Sequence, residues 1–258
     1  MRVLITGASR GIGRAVAQRL AGDGAQVAVC ASAHADELDT LVAGIRGGGG
    51  VAVPLIGDLK DEATPARLVE QAAAALGGLD AVVGNAGITG PGMLATLAIV
   101  DWDRLFAVNV RAQWLLARAA YPWLQKSRGS LVIVASMSGV QPYFGGGAYS
   151  ATKAASIMLA RQLAQEWAAD GIRVNCLSPG LVRTPMTQPV YDQPQVKSAR
   201  EALVPVHRIA EADADMAGIV AFLLGPDSGY ITGHNLLADG GLLDSVQTHL
   251  TGRPRSEG

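Results

Sequence analysis

Thr6-Gly7-Ala8-Ser9-Arg10-Gly11-Ile12-Gly13 stands between an apolar run at Val3–Thr6 and a helical pattern at Ile12–Ala21. Its glycines follow the spacing G-x-x-x-G-x-G. Glycines between a strand and a helix let the backbone turn sharply and approach a pyrophosphate, while the helix N-terminus supplies N–H donors and the positive end of a dipole. The stretch therefore indicates a dinucleotide-binding fold. A tight turn without a ligand is the weaker alternative, because the strand–turn–helix context that the motif requires is present.

The rest of the chain alternates between strand and helix patterns. Strand patterns occur at Val3–Thr6, Gln26–Ala31, Val51–Ile56, Ala81–Gly84, Ser130–Ser136, Arg173–Leu177 and near Asn235–Ala238. Helical patterns lie between them, at Ile12–Ala21, Ala35–Arg46, Glu62–Leu76, Trp102–Gln125, Ala151–Ala169 and Ala212–Leu224. This alternation predicts an α/β protein with a Rossmann-type, doubly wound parallel sheet of about seven strands and helices on both faces.

The domain organisation is expected to be simple, since no linker divides the chain. We expect one domain over residues 1–250 and a flexible polar tail over 251–258. Four prolines between Pro185 and Pro205 punctuate a stretch without clean periodicity, which favours an irregular excursion of the kind that often carries binding.

Composition limits the classes of function. Apolar residues make up 49% of the 258 residues, enough for a full core, and the formal net charge of −1 lacks the basic excess of a nucleic-acid binder. No apolar run reaches the roughly 18 residues of a membrane span, and Arg2–Thr6 already has the pattern of a core strand rather than of a secretory signal. Two cysteines and four scattered histidines favour neither a disulfide framework nor a metal site. We therefore expect a cytoplasmic protein without a nucleic-acid, membrane or metal partner.

The end of the second strand bears on the choice between NAD and NADP. An acidic residue at this point commonly binds the ribose hydroxyls of NAD, and Val29–His34 contains none. Arg10 and Ser32 could instead bind a ribose 2′-phosphate, which predicts a preference for NADP(H) with NAD(H) as the alternative. Asp36 better suits the first turn of the next helix, although a longer second strand would let it reach the ribose.

Small and polar residues follow two further strands. Asp58, with Leu59, comes after the third strand and could either accept a hydrogen bond from an adenine amino group or cap the next helix. Asn85, Ala86 and Gly87 follow the fourth strand, where small side chains leave room for a flat ligand. Because ligands bind at the carboxyl ends of parallel strands, these residues are candidates for cofactor binding.

The candidate catalytic residues are Asn109, Ser136, Tyr149 and Lys153. Tyr149 and Lys153 are four residues apart, which places both on one face of a helix. An ammonium beside a phenol lowers the phenol pKa from about 10, so the pair suits general acid/base work. Ser136 ends a strand and could polarise a carbonyl oxygen. Asn109 interrupts an apolar helix, so its amide either has a task or bonds a nearby helix carbonyl.

The chain resembles the short-chain dehydrogenase/reductase family, in its compact one-domain branch, and is similar to 3-oxoacyl-carrier-protein reductases. The matching elements run in family order over nearly the whole chain, and jointly they are specific. They are Thr6–Gly13, Asn85-Ala86-Gly87, Asn109, Ser136, Tyr149 with Lys153, Pro179-Gly180 with Thr184, and Asp239-Gly240-Gly241. One position departs from the pattern, because Gly84 stands where the family often has a first asparagine.

The resemblance implies an NAD(P)-dependent oxidoreductase that interconverts a ketone or aldehyde and an alcohol by hydride transfer. It implies that Tyr149 is the general acid/base, that Lys153 lowers its pKa and binds the nicotinamide ribose, that Ser136 holds the substrate oxygen, and that Asn109 helps to hold a water linked to Lys153. It also implies a homotetramer. The expected cofactor-binding residues are Gly7, Ser9, Arg10, Gly11, Ile12, Gly13, Ser32, Asp58, Leu59, Asn85, Ala86, Gly87, Tyr149, Lys153, Pro179, Gly180, Val182 and Thr184.

The expected substrate is a neutral or partly apolar carbonyl compound. Three mostly apolar segments should wall the pocket, at Ile88–Leu94, Ser138–Phe144 and Thr184–Leu203, and the first two contain no Arg or Lys. An acyl-carrier substrate would need a basic patch, for which the sequence offers only Lys126, Arg128 and Arg173.

Two other classes of function compete with an enzyme. A regulator that binds the dinucleotide without turnover would be expected to lack Tyr149, Lys153 or Ser136, and all three are present. A structural or interaction protein on the same fold would have no reason to combine the glycine loop with an acid/base pair.

Overall fold

Residues 1–245, described by a computed structural model, are built around a seven-stranded parallel sheet. The strands are β1 (Arg2–Thr6), β2 (Gln26–Ala31), β3 (Val51–Ile56), β4 (Ala81–Gly84), β5 (Ser130–Val134), β6 (Arg173–Pro179), β7 (Val182–Arg183), β8 (Ala210–Glu211) and β9 (Asn235–Ala238). The sheet order is β3-β2-β1-β4-β5-β6-β9, and β7 pairs separately with β8. The predicted doubly wound sheet is confirmed.

Helices cover both faces of the sheet. They are α1 (Gly11–Gly22), α2 (Ala35–Gly47), α3 (Thr64–Leu76), α4 (Ile99–Phe106), α5 (Ala112–Ser127), α6 (Tyr149–Trp167), α7 (Gln188–Tyr191), α8 (Pro194–Leu203) and α9 (Gly218–Leu224). Side chains of α1, α2 and α9 fill the core on one face, and those of α3, α5 and α6 fill the core on the other.

The strands lack polar alternation because both of their faces are buried. In β1, Val3 and Ile5 point into one core and Leu4 points into the other, and all three side chains are fully buried. Such strands are expected in a parallel sheet that is covered on both sides.

The sheet order reverses between β1 and β4. From β1 the chain moves outward to β2 and β3, and it then returns to pair β4 with the other side of β1. The connections leave in opposite directions at this point, so a crevice opens beyond the carboxyl ends of the two strands, where ligands bind in open α/β sheets.

The structure differs from the predicted elements in three helical regions. The helix predicted over Ala212–Leu224 begins with a π-helical turn at Ala212–Ala217, and α9 follows it from Gly218. The helix predicted over Trp102–Gln125 is α4 and α5 joined by a π-helical turn at Ala107–Arg111, which contains Asn109. The proline-punctuated stretch is not irregular throughout, since it contains α7 and α8. Pro189 and Pro194 stand in the first turns of these helices, where the missing N–H costs no hydrogen bond.

Some expectations fall outside the described residues, namely the domain limit at residue 250 and the tail over 251–258. Within residues 1–245, no helix is long and apolar enough to cross a membrane, and no group of three or more His, Cys, Asp or Glu residues is arranged to hold a metal ion.

Arg173 fastens the end of α9 to the start of β6. Its guanidinium lies among backbone carbonyls rather than beside a carboxylate, and burial lowers its pKa. It donates to the carbonyls of Leu223 at 2.8 Å, Ser228 at 3.1 Å, Leu224 at 3.1 Å and Gly225 at 3.1 Å. Because the guanidinium is bound inside the fold, it does not contribute to a basic surface for an acyl carrier.

Replacing this guanidinium should destabilise the fold. Arg173→Met would leave several carbonyls at the end of α9 without their donor, at a cost of about 2–4 kcal/mol. This corresponds to a fall of roughly 5–10 °C in the midpoint of thermal unfolding. The matched control is Arg19→Met, since Arg19 only forms an exposed ion pair with Asp23 at 2.7 Å, and such pairs contribute about 0–1 kcal/mol. Equal midpoints for the two variants would contradict this account of Arg173.

Candidate active site

The glycine loop closes tightly between β1 and α1. Gly7 and Gly11 have positive φ angles of 65° and 59°, which glycine adopts without strain. A side chain at Gly13 would collide with the carbonyl oxygen of Gly7 and with the Asn85 amide, so only glycine fits there. The loop backbone therefore packs directly against the N-terminus of α1. The free N–H groups at this helix end can bind an anion.

The loop is also joined to the end of β4. The Thr6 hydroxyl oxygen accepts hydrogen bonds from the backbone N–H groups of Asn85 and Ala86, both at 3.1 Å. The Asn85 side-chain amide donates in return to the carbonyls of Thr6 at 2.9 Å and Gly7 at 3.0 Å. These four bonds hold the two strand ends at a fixed separation across the crevice. Thr6 was quoted in the sequence motif without a role, and this bridging role was not predicted.

The other edge of the loop lies beside the end of β2. Ala8 N–H donates to the Cys30 carbonyl at 2.9 Å, and β2 ends at Ala31. Arg10 and Ser32 are both exposed at this edge. Within residues 1–245, the Arg10 guanidinium takes part in no hydrogen bond or ion pair. Asp36 lies in the first turn of α2, as expected if the second strand is short.

Asp58 is not a helix cap. Its carboxylate accepts from the Lys60 N–H at 3.0 Å and pairs with the Lys60 ammonium at 3.1 Å, whereas α3 begins six residues later at Thr64. Burial tends to raise the pKa of Asp58, but these contacts with Lys60 outweigh it and lower the pKa. The Leu59 side chain is buried in the core, which holds the turn at the end of β3 and leaves Asp58 exposed.

The segment after β6 covers the glycine loop. Pro179 ends β6, and Gly180 lies so close to Asp239 that a side chain would not fit. Val182 begins β7, after which Thr184 approaches the loop. A Cβ atom added to Gly11 would lie 3.4 Å from the Thr184 side chain. The predicted cofactor residues from β1 and β6 therefore meet at one end of the sheet.

Tyr149 and Lys153 share one face of α6, in its first turns. The Lys153 ammonium lies 5.7 Å from the centroid of the Tyr149 ring and donates to the Val134 carbonyl, at the end of β5, at 2.9 Å. The Lys153 side chain is buried, which lowers its pKa to about 8. At pH 7 the ammonium form still predominates.

Ser136 lies near enough to the Tyr149 hydroxyl to affect its pKa. Ser136 lies two residues beyond the end of β5, and its oxygen accepts from the Ser138 N–H at 3.1 Å. Burial raises the pKa of Tyr149, and hydrogen bonding to Ser136 offsets this in part. This direction is opposite to the expected one, because the Lys153 ammonium is directed at Val134 rather than at the phenol oxygen.

Asn109 is bound to the segment that follows β4 rather than to a helix carbonyl. Its side-chain oxygen accepts from the Ile88 N–H at 2.9 Å, and its amide donates to the Ile88 carbonyl at 2.9 Å and to the Thr152 hydroxyl at 3.0 Å. Thr152 in turn donates to the Tyr149 carbonyl at 2.7 Å. Asn109 thus ties the extension of β4 to the helix that carries the Tyr–Lys pair.

Gln113 is a site residue that sequence reasoning missed. It is 3% exposed and donates to the Ala86 carbonyl at 2.9 Å. The signal for it was available, since Gln113 is a second amide one helical turn after Asn109 in the same apolar helix.

A dinucleotide fits this arrangement. The glycine loop leaves no side chain between the α1 N-terminus and a pyrophosphate. Gly87 leaves a gap over the catalytic face, by which we mean the surface that carries Tyr149, Ser136 and Lys153. A Cβ atom at Gly87 would lie 3.2 Å from the Lys153 ammonium and 3.3 Å from the Asn109 oxygen. A phenol, a hydroxyl and an ammonium converge beside this gap. Together these groups can polarise a carbonyl oxygen and protonate it.

Known proteins share both the sequence and the shape of this chain. The family model described as enoyl-(acyl carrier protein) reductase matches residues 7–243. The Bos taurus dehydrogenase/reductase SDR family member 4 is 36% identical over 246 residues, which cover 94% of this chain and 87% of the relative.

Two solved structures superpose over almost the whole chain. A short-chain dehydrogenase from Burkholderia cenocepacia, in complex with NADP, is 37% identical with a TM-score of 0.87, covering 94% of this chain and 97% of that one. A short-chain type dehydrogenase/reductase from Mycobacterium marinum is 34% identical with a TM-score of 0.87, covering 93% and 94%. The chain therefore belongs to the short-chain dehydrogenase/reductase family, the oxidoreductases that act on CH–OH and carbonyl groups.

Proposed function

We propose that this protein reduces a neutral ketone or aldehyde to an alcohol with NADPH, and that Tyr149 is its general acid. The proposal rests on the position of Tyr149, Ser136 and Lys153, which lie together beside the expected dinucleotide site. This site, the cradle, is formed by the glycine loop and by the segment that follows β4. A bound nicotinamide cofactor supplies the hydride, while the protein binds, orients and protonates.

The protonation state of Tyr149 favours the reductive direction. Because burial raises its pKa, the phenol keeps its proton at pH 7 and can donate it to the carbonyl oxygen as negative charge develops there. Ser136 stands beside the phenol and would donate a second hydrogen bond to the same oxygen. In the reverse reaction Tyr149 must first lose its proton, so alcohol oxidation should require a higher pH than carbonyl reduction.

Lys153 and Asn109 act around the phenol. Lys153 is proposed to exchange its bond to the Val134 carbonyl for the ribose hydroxyls of the cofactor, which would bring its positive charge toward Tyr149 and lower the phenol pKa. Asn109 supports this through its bonds to Ile88 and Thr152. All of its amide atoms already have protein partners, so a water held near Lys153 would be bound by neighbouring backbone rather than by this side chain alone.

The proposed substrate carries no negative charge. The three segments expected to wall the pocket carry exposed apolar side chains, among them Met93, Tyr143, Phe144 and Met186. The cations nearby already have partners. Arg183 pairs with Glu211 at 3.4 Å, Lys197 pairs with Glu201 at 3.0 Å, and the Arg200 guanidinium lies 5.7 Å from the centroid of the Tyr191 ring.

The edge of β2 supports the proposed preference for NADPH. A 2′-phosphate here would meet the exposed Arg10 and Ser32 and no carboxylate at the end of the strand. The Burkholderia cenocepacia relative in complex with NADP lends support.

We also propose a cytoplasmic homotetramer, which would cover exposed apolar side chains on α5 and α6 such as Trp114 and Met158.

Removing the phenol hydroxyl should abolish turnover but not cofactor binding. In Tyr149→Phe, carbonyl reduction should fall by about 10²–10⁴-fold, because a positioned general acid is lost. NADPH affinity, measured by the quenching or enhancement of fluorescence, should stay within about threefold of the parent. Tyr230→Phe is the matched control, since that side chain is fully exposed. Parent-like turnover in Tyr149→Phe would show that another group is the acid.

Uncharged carbonyl compounds should be reduced better than their charged counterparts. With NADPH oxidation as the readout, a 3-oxo ester should have a kcat/KM at least about tenfold above that of the matching 3-oxo acid, because Arg183, Lys197 and Arg200 already have partners and each ~1.4 kcal/mol of carboxylate desolvation is a factor of ten. A higher kcat/KM for the acid would refute the proposed substrate class.

NADPH should be used more efficiently than NADH. A guanidinium–phosphate hydrogen bond contributes ~1.5–3 kcal/mol, which corresponds to roughly one to two powers of ten in kcat/KM. Ala31→Asp should reverse the order, because its carboxylate would repel the 2′-phosphate and accept from the two ribose hydroxyls of NADH. Equal or better use of NADH by the parent would contradict the role given to Arg10 and Ser32.

A further inference from the structure

Two amides one helical turn apart hold the segment that follows β4. Asn109, in the π-helical turn, binds the N–H and the carbonyl of Ile88, and Gln113, in α5, donates to the carbonyl of Ala86 at 2.9 Å. Both side chains are buried, with 1% and 3% of their surface exposed. The residue between these two attachment points is Gly87, where an added Cβ atom would lie 3.2 Å from the Lys153 ammonium. The helix therefore sets the height of Gly87 over the catalytic face.

Gln113 occupies space that only glycine at position 84 leaves open. A Cβ atom on Gly84 would overlap the Gln113 side-chain oxygen, which is the nearest atom to that point. Gly84 is the last residue of β4 and is buried. The Gln113 side chain therefore fills the space that the absence of a side chain at Gly84 leaves.

The orientation of the Gln113 amide follows from its partners. The nitrogen must face the Ala86 carbonyl, since the reverse orientation would set two oxygens against each other. The oxygen then faces Gly84, where it is buried and makes no hydrogen bond within residues 1–245. A buried acceptor without a partner costs free energy. Within residues 1–245, the bond to the Ala86 carbonyl is therefore the one hydrogen bond that this amide makes.

We infer that Gln113 is a positioning residue for the dinucleotide, which acts by holding Ala86 and Gly87 where the nicotinamide ribose meets Lys153. The inference rests on the proposed function, because it presumes that the ribose binds over Gly87. Gln113 is 3% exposed, so its effect would pass through the backbone of Ala86 rather than through direct contact with a ligand. Gly84 is required only because Gln113 is present.

Gln113→Met separates this role from packing. Methionine has a similar length and fills the same space, but it cannot donate to the Ala86 carbonyl. We expect NADPH to bind about three- to tenfold more weakly, with kcat at saturating NADPH within about twofold of the parent and with an unchanged or higher midpoint of thermal unfolding. The matched control is Gln125→Met on the same helix, whose amide donates to the exposed Asp170 at 2.9 Å and should leave NADPH affinity unchanged.

A double-mutant cycle tests the pairing with Gly84. Gly84→Ala alone should weaken NADPH binding at least tenfold, because its methyl group displaces Gln113 and with it Ala86. Added to Gln113→Ala, the same substitution should cost less than twofold, because the space is then empty. Additive effects of the two substitutions would overturn the pairing.

The outcomes for the inference and for the proposed function are distinct. Parent-like NADPH affinity in Gln113→Met, or a loss of affinity matched by an equal loss of thermal stability, would overturn the positioning role. A parent that binds NADPH but reduces no carbonyl compound would defeat the proposed reaction while the binding comparison still decides the role of Gln113. A parent that binds no dinucleotide would overturn both.

Discussion

The contact between the ends of β1 and β4 is the constraint on which the site depends. The Thr6 hydroxyl and the Asn85 amide join the two strands across the point where the sheet order reverses, and Gly13 lets α1 begin directly against Gly7. A side chain at Gly13 would force the helix away from the strand. The crevice, the outward N–H groups of α1 and the path of residues 85–88 all follow from this closure.

The proposed catalytic groups are attached to the same framework from the other side. Asn109 ties Ile88 to Thr152, which lies in the first turn of α6, the helix that carries Tyr149 and Lys153. The cradle and the acid/base pair are thus parts of one hydrogen-bonded unit. The irregular helix geometry at Ala107–Arg111 gives Asn109 its reach, in keeping with the frequent occurrence of π-helical turns at functional sites.

The local patterns of the sequence were sufficient for the fold, and they also indicated the residues proposed for the site. Buried parallel strands are continuous apolar runs, and a pair four residues apart must share a helix face, so β1–β6 and the Tyr149–Lys153 pair could be predicted. Interactions between distant segments could not. The partner of Gln113 is 27 residues away, Arg173 binds carbonyls 50 residues or more away, and the pKa of Tyr149 depends on burial and on where the Lys153 ammonium points.

A crystal structure of the protein with NADP⁺ tests the central claim most directly, namely that these strand ends form one cradle beside one catalytic face. The account predicts the pyrophosphate at the N-terminus of α1, the 2′-phosphate beside Arg10, and the nicotinamide ribose over Gly87, with its hydroxyls within about 3 Å of the Lys153 nitrogen and the Tyr149 oxygen. A dinucleotide bound elsewhere, or a ribose that leaves Lys153 on the Val134 carbonyl and out of reach of Tyr149, would contradict it.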